Sequence, residues 1–196
     1  MRRHERRRRA LRGPPVRGIR SLVRRGEPFV KQGIMHAFTE KDIRSSFVNA
    51  SLRERNSIVL PALAEVGWEN LDYLGWRDPK QPLAGFIVIP VDDEPVGILL
   101  RQTEQRVRTR AQCSWCEDVT LPNDVVFFSA KRGGQAGRNG NTVGTMLCER
   151  FECSANVRRP MPPAYLGFDV EAARHRRIEA LRAHADGFAR DIRDGR

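Results

Sequence analysis

Four cysteines carry the clearest chemistry in this 196-residue chain. They stand as Cys113-x2-Cys116 and, after a gap of 31 residues, Cys148-x4-Cys153. Two short-spaced pairs can surround a metal tetrahedrally once the chain folds back, and thiolates suit zinc. No cysteine is left over. Four protein ligands leave no open position for water, so the pattern predicts one structural Zn2+ ion and not a reaction centre. Three other chemistries use the same residues. Two disulfides need an oxidising compartment. A redox Cys-x2-Cys usually precedes a helix, whereas this one precedes a strand. An iron–sulfur cluster takes four thiolates, and nothing further favours it.

The remaining reactive residues form no second constellation. His4, His36, His175 and His184 lack metal-ligand spacing, and His175 and His184 fit surface positions on a basic helix. Asp92-Asp93-Glu94 gathers three carboxylates, but acidic turns are common because they are solvated. Arg132-Gly133-Gly134 resembles an RNA-binding element present in one copy. Its loop lacks the Gly-Lys-Ser/Thr ending of a phosphate cradle. No nucleophile–histidine arrangement is visible, so the chain is expected not to be an enzyme.

The elements that must position the cysteines follow from pattern. Asp124–Ala130 and Thr142–Leu147 read as two strands joined by a long flexible turn over 131–141, which brings the cysteine pairs together. Asp169 is placed to cap a helix over about 170–193, with Ile178, Leu181, Ala185, Phe188 and Ile192 on its apolar side. The irregular stretch 154–168 delays that helix. Upstream, Thr39 and Asp42 predict a capped helix over about 40–55. Residues 65–82 read as a compact aromatic connector. Leu83–Pro90 and Val96–Gln102 read as an antiparallel hairpin with an acidic turn. The fold class is therefore α/β of the α+β kind. An N-terminal helix and hairpin precede a four-cysteine treble-clef module that ends in a helix.

Charge divides the chain differently. The formal net charge is +11, yet residues 1–34 hold 12 of the 35 Lys and Arg and only Glu5 and Glu27 as acids. The body is nearly neutral. The expected organisation is a disordered Arg-rich tail at 1–34, an N-terminal α+β region at 35–100 and the zinc module at 101–196. The tail offers nonspecific RNA contact through counterion release. Met35 opens the first segment that reads as ordered and is a candidate start. No apolar run is long enough to cross a bilayer, and no apolar h-region follows the basic tail, so a cytoplasmic location is expected.

Several motifs together resemble the actinobacterial elongation factor G-binding proteins. They are Thr-Glu-Lys-Asp-Ile-Arg-Ser-Ser-Phe-Val-Asn-Ala-Ser at 39–51, Leu-Asp-Tyr-Leu-Gly-Trp-Arg-Asp-Pro-Lys at 71–80 and Cys-Ser-Trp-Cys at 113–116. The stretch Ala-Lys-Arg-Gly-Gly-Gln-Ala-Gly-Arg-Asn-Gly-Asn-Thr-Val-Gly at 130–144 and Cys-Glu-Arg-Phe-Glu-Cys at 148–153 complete the match. The resemblance spans about 35–196. It implies a treble-clef zinc domain shared with staphylococcal fusidic-acid-resistance proteins, with Cys113, Cys116, Cys148 and Cys153 matching the ligands. It also implies a non-catalytic protein that binds elongation factor G and helps it leave the ribosome. The larger N-terminal helical bundle of the resistance proteins has no match here, nor does the Arg-rich tail have a counterpart there. For contacts, Trp115 on its tight knuckle is a candidate aromatic anchor, or else a ring packed on the zinc hairpin. Lys131, Arg132 and Arg138 beside the long loop could meet acidic or phosphate groups. The second reading is a zinc-stabilised RNA- or ribosome-binding module.

Overall fold

The computed structural model describes residues 35–104, 111–118, 123–163 and 165–195. The expected Arg-rich tail lies outside the described residues. Helix α1 (Glu40–Ser46) opens with a reciprocal cap: the Thr39 side chain accepts from the Asp42 N–H, and the Asp42 carboxylate accepts from the Thr39 N–H. The single helix expected over 40–55 is in fact two. Phe47 turns extended, and Val48 donates its N–H to the Gly97 carbonyl at 3.0 Å. Ser51 and Glu54 then form a second capping box and start α2 (Leu52–Ser57). A strand contact and a new cap together outweigh continuation of one helix.

The connector after two short 3-10 turns ends in a strand the sequence reading missed, β1 (Leu74–Arg77). It joins β2 (Ala84–Val91), β3 (Glu94–Gln102), β4 (Val125–Lys131) and β5 (Thr142–Cys148) in one antiparallel sheet ordered β1-β2-β3-β4-β5. The β2–β3 hairpin is as expected. Asp92 and Asp93 both hold positive φ, 53° and 66°, the geometry a two-residue hairpin turn requires. β3 runs through residues 100 and 101, so the sheet is continuous there.

β3 and β4 pair at only two positions, Arg101↔Ser129 and Gln102↔Phe128. Beyond them the Asn49 amide bridges the strands: its Nδ2 donates to the carbonyls of Leu99 and Lys131, both at 3.0 Å, and its Oδ1 accepts from the Leu99 N–H. The turn over 131–141 is not a plain loop, because it winds a short helix, α3 (Gly134–Arg138). Helix α4 (Cys153–Arg158) follows β5. The long helix α5 (Val170–Asp194) begins where Asp169 accepts a bond from the Ala172 N–H, as expected.

Strand alternation gives the sheet two faces. One face presents Ile87, Ile89, Ile98, Leu100, Phe128 and Leu147 to α5 and the cysteine turns. The other presents Leu74, Phe86, Val88 and Leu99 to Ile43 and Phe47, with Trp68 and Trp76 alongside. Among the described residues no helix is long and apolar enough to cross a membrane.

Candidate metal centre

Two tight turns carry the cysteines. In the first, Glu117 donates its N–H to the Cys113 carbonyl at 3.0 Å, and Ser114 donates to the Met146 carbonyl at 2.8 Å, fixing the turn to the edge of β5. In the second, Phe151 donates to the Cys148 carbonyl at 3.0 Å and adopts a left-handed φ of 64°. Cys153 then opens α4, so a helix follows the second pair at once and the stretch after 153 is not wholly irregular. Knuckle, hairpin, knuckle and helix succeed one another directly.

The four thiols converge. All are buried, and their sulfurs lie within 4.8 Å of one another. Cys113 Sγ is 3.6 Å from Cys153 Sγ, and Cys116 Sγ is 3.7 Å from Cys148 Sγ. Four sulfurs at a zinc–sulfur distance of about 2.3 Å stand roughly 3.8 Å apart in a tetrahedron, so the spacing suits that ion. Charge points the same way. Hydrogen bonds from Cys116, Cys148 and Cys153 hold the Cys113 thiol far below its usual range. Hydrogen bonding to Cys113, and next to Cys116, pushes the Cys148 and Cys153 thiols far above theirs. Cys116 is also lowered, so the four thiols divide into two pushed down and two pushed up, and all four ionise together only around a cation.

Several residues that sequence reasoning passed over surround the sulfurs. Asn156 is buried, and its Nδ2 points at Cys148 Sγ at 3.4 Å and Cys116 Sγ at 3.9 Å. Its position three residues after Cys153 on one helix was the available signal. Tyr73 is buried against the cluster; desolvation, and then the charge of Cys153, push its phenol upward. His184 Nδ1 meets the Trp115 carbonyl at 3.1 Å, so this histidine touches the first knuckle.

The centre is bolted to the sheet. Phe151 lies across Gly75 and Gly85, where a Cβ would fall 2.5 and 2.6 Å from its atoms, and its ring stacks on Phe128. The buried Asp72 carboxylate accepts from Arg158 of α4 and, at 2.8 Å, from Arg182 of α5. Arg190 of α5 grips Asp92 of the β2–β3 turn at 2.7 and 2.9 Å, which gives the acidic turn a structural task.

The residues expected to contact a partner separate. Trp115 is only 2% exposed, with its ring between Tyr73 at 5.1 Å and Phe188 at 5.6 Å. It is the packed ring of the two readings, and this burial removes it from the surface. Arg132 donates to the carbonyl and carboxylate of Asp191, and Gly133 donates to the Ile192 carbonyl at 2.7 Å. The Arg-Gly-Gly element thus closes the C-terminus of α5, where cations are favoured. Arg138 is exposed and bonds Gln135, and Lys131 is exposed at the end of β4.

Comparison with known proteins adds a family. Residues 42–192 match the model of the FBP C-terminal treble-clef zinc-finger. Among solved structures, one titled as the fusidic acid resistance protein FusC is similar at 22% identity with a TM-score of 0.41. The match covers 53% of this chain and 47% of that one, so the chain spans about half the length of that protein. No curated protein matches.

Proposed function

Because the chain belongs to the FBP C-terminal treble-clef zinc-finger family, we propose that it binds elongation factor G without catalysing a reaction and promotes release of the factor from the ribosome. The match over residues 42–192 carries this reading, together with the motifs that resemble elongation factor G-binding proteins. Cys113, Cys116, Cys148 and Cys153 would hold one Zn2+, with every coordination position filled by protein. The ion's contribution is then mechanical: it locks β4–β5, α4 and the two knuckles into one surface. The protein would act in the cytoplasm, where the factor and ribosomes are, either in fusidic-acid resistance or in routine translation.

The test is capture of purified elongation factor G by the full chain in nuclease-treated buffer. Retention is expected at a salt concentration that dissolves nonspecific nucleic-acid contacts, and no retention without RNA would overturn the reading. The +10 charge of residues 1–34 favours a second, weaker contact, nonspecific binding of ribosomal RNA. That contact should fall steeply with salt, whereas capture of the factor should not.

A further inference from the structure

The side of the sheet opposite the cysteine cluster is covered over only part of its width. Ile43 and Phe47 of the N-terminal segment pack on Leu74, Phe86, Val88 and Leu99 of β1 to β3. Followed across the register Arg101↔Ser129 and Phe127↔Met146, the same face continues onto β4 and β5. There it presents Phe127, Ser129 and Lys131 on one strand and Thr142, Gly144 and Met146 on the other. Alternate residues Phe128, Ala130, Thr145 and Leu147 are buried on the far side. On this half-face Phe127, Lys131, Thr142 and Gly144 are exposed.

Phe127 at its centre is 40% exposed, yet its ring is not loose. It lies on Gly144, where a Cβ would come within 2.2 Å of a ring carbon. Glycine therefore lets the tip of the ring come down against the neighbouring strand while two-fifths of the residue stays exposed. Such a ring loses little further freedom on binding, as suits an interface anchor. Met146 beside it is a residue type enriched in protein interfaces.

The border of the patch is basic. Lys131 is exposed and forms no salt bridge among the described residues. Arg101, on the same face, bonds Gln81 at 3.1 Å and approaches Glu54 only to 4.0 Å. An apolar centre with two cations on its rim complements an apolar patch flanked by carboxylates. A single-stranded nucleic acid would instead seek several stacking rings, and this face has one.

We propose that the open half-face of β4 and β5, centred on Phe127 and Met146 with Lys131 and Arg101 at its edge, is the docking surface for an acidic patch on the protein partner. The inference rests on the elongation factor G reading and names the surface that serves it.

The full chain and its variants would be titrated with purified elongation factor G in RNA-free buffer by calorimetry. Phe127→Ala is expected to weaken binding by about tenfold or more, as truncation of an interface anchor does. Lys131→Glu should weaken it several-fold, most strongly at low salt. Leu166→Ala, at an exposed apolar residue elsewhere, should bind as the parent does. Phe127→Leu keeps an apolar contact with Gly144 and should bind between parent and Phe127→Ala, which guards against a misfolded variant; zinc content and circular dichroism check each protein. Parent-like affinity in both Phe127 variants and in Lys131→Glu overturns the surface while leaving the functional reading intact. No binding by the parent chain overturns that reading and the surface with it. Loss of oligouridylate binding or of self-association in Phe127→Ala, with factor binding unchanged, assigns the face to RNA or a second copy and also overturns the proposal.

Discussion

A metal site buried this completely is tuned by the residues that touch its ligands. Asn156 supplies N–H donors to Cys148 and Cys116, stabilising negative charge on sulfurs that otherwise repel one another. Asn156→Ala is expected to lower zinc affinity about 10- to 100-fold, the usual effect of losing such a partner, as measured by competition with a chromophoric chelator. An unchanged affinity would make the amide a packing residue only. Trp115 tests the opposite kind of role. With Tyr73 and Phe188 on either side, Trp115→Ala should cost about 3–5 kcal/mol of stability by urea unfolding. Lost partner binding in that variant should then track the unfolded fraction. The knuckle spacing alone left this ring ambiguous. What decides the matter is contact with two residues far away in sequence, which local pattern does not encode.

Elements with strong local signals were legible. The β2–β3 hairpin announced itself by β-branched runs around an acidic turn, and α5 by its cap and apolar stripe. Short elements were less visible, because fewer than two helical turns leave no periodicity to read. Thus α3 and α4 read as irregular chain from sequence, and β1 is hidden by Gly75, which lies under Phe151, and by Trp76, which packs on the opposite face against Phe47 and Phe86. The break between α1 and α2 does carry a signal in the sequence, the capping box Ser51-x-x-Glu54. Ser51→Ala should therefore cost about 1 kcal/mol in thermal unfolding, the usual worth of an N-cap; no loss would mean that the break is set by the Phe47–Gly97 bridge alone. A long-range ion cluster is harder to foresee. Asp72 joins the chain before β1 to both α4 and α5, so Asp72→Ala leaves two guanidinium groups without their buried acceptor. Because both arginines keep some solvent access, the expected loss is about 3 kcal/mol, at the low end for a broken buried pair.

At the scale of the molecule, the zinc centre and the sheet form one structure. If only the contacts within the cysteine turns mattered, metal removal would unfold the zinc module alone. The contacts argue for a wider effect. Phe151 of the second knuckle rests on Gly75 and Gly85 of β1 and β2, Trp115 of the first packs on Tyr73, and α5 reaches back to Asp92 through Arg190. Removing the ion leaves the four sulfurs without the cation that draws them together, and the knuckles lose the geometry that holds these contacts. A structural zinc contributes roughly 10–16 kcal/mol in small metal-folded peptides. Whole domains are commonly stable by only about 5–15 kcal/mol, so the sheet has little with which to survive the loss. Treatment with a strong chelator should therefore release backbone protection together in β2–β3 and in β4–β5, as read by hydrogen exchange. Acid should act likewise, because protons compete with zinc for the thiolates, so metal retention falls as pH falls. If β2–β3 stays protected after complete metal removal while β4–β5 exchanges freely, the sheet has two independent halves and zinc stabilises only one.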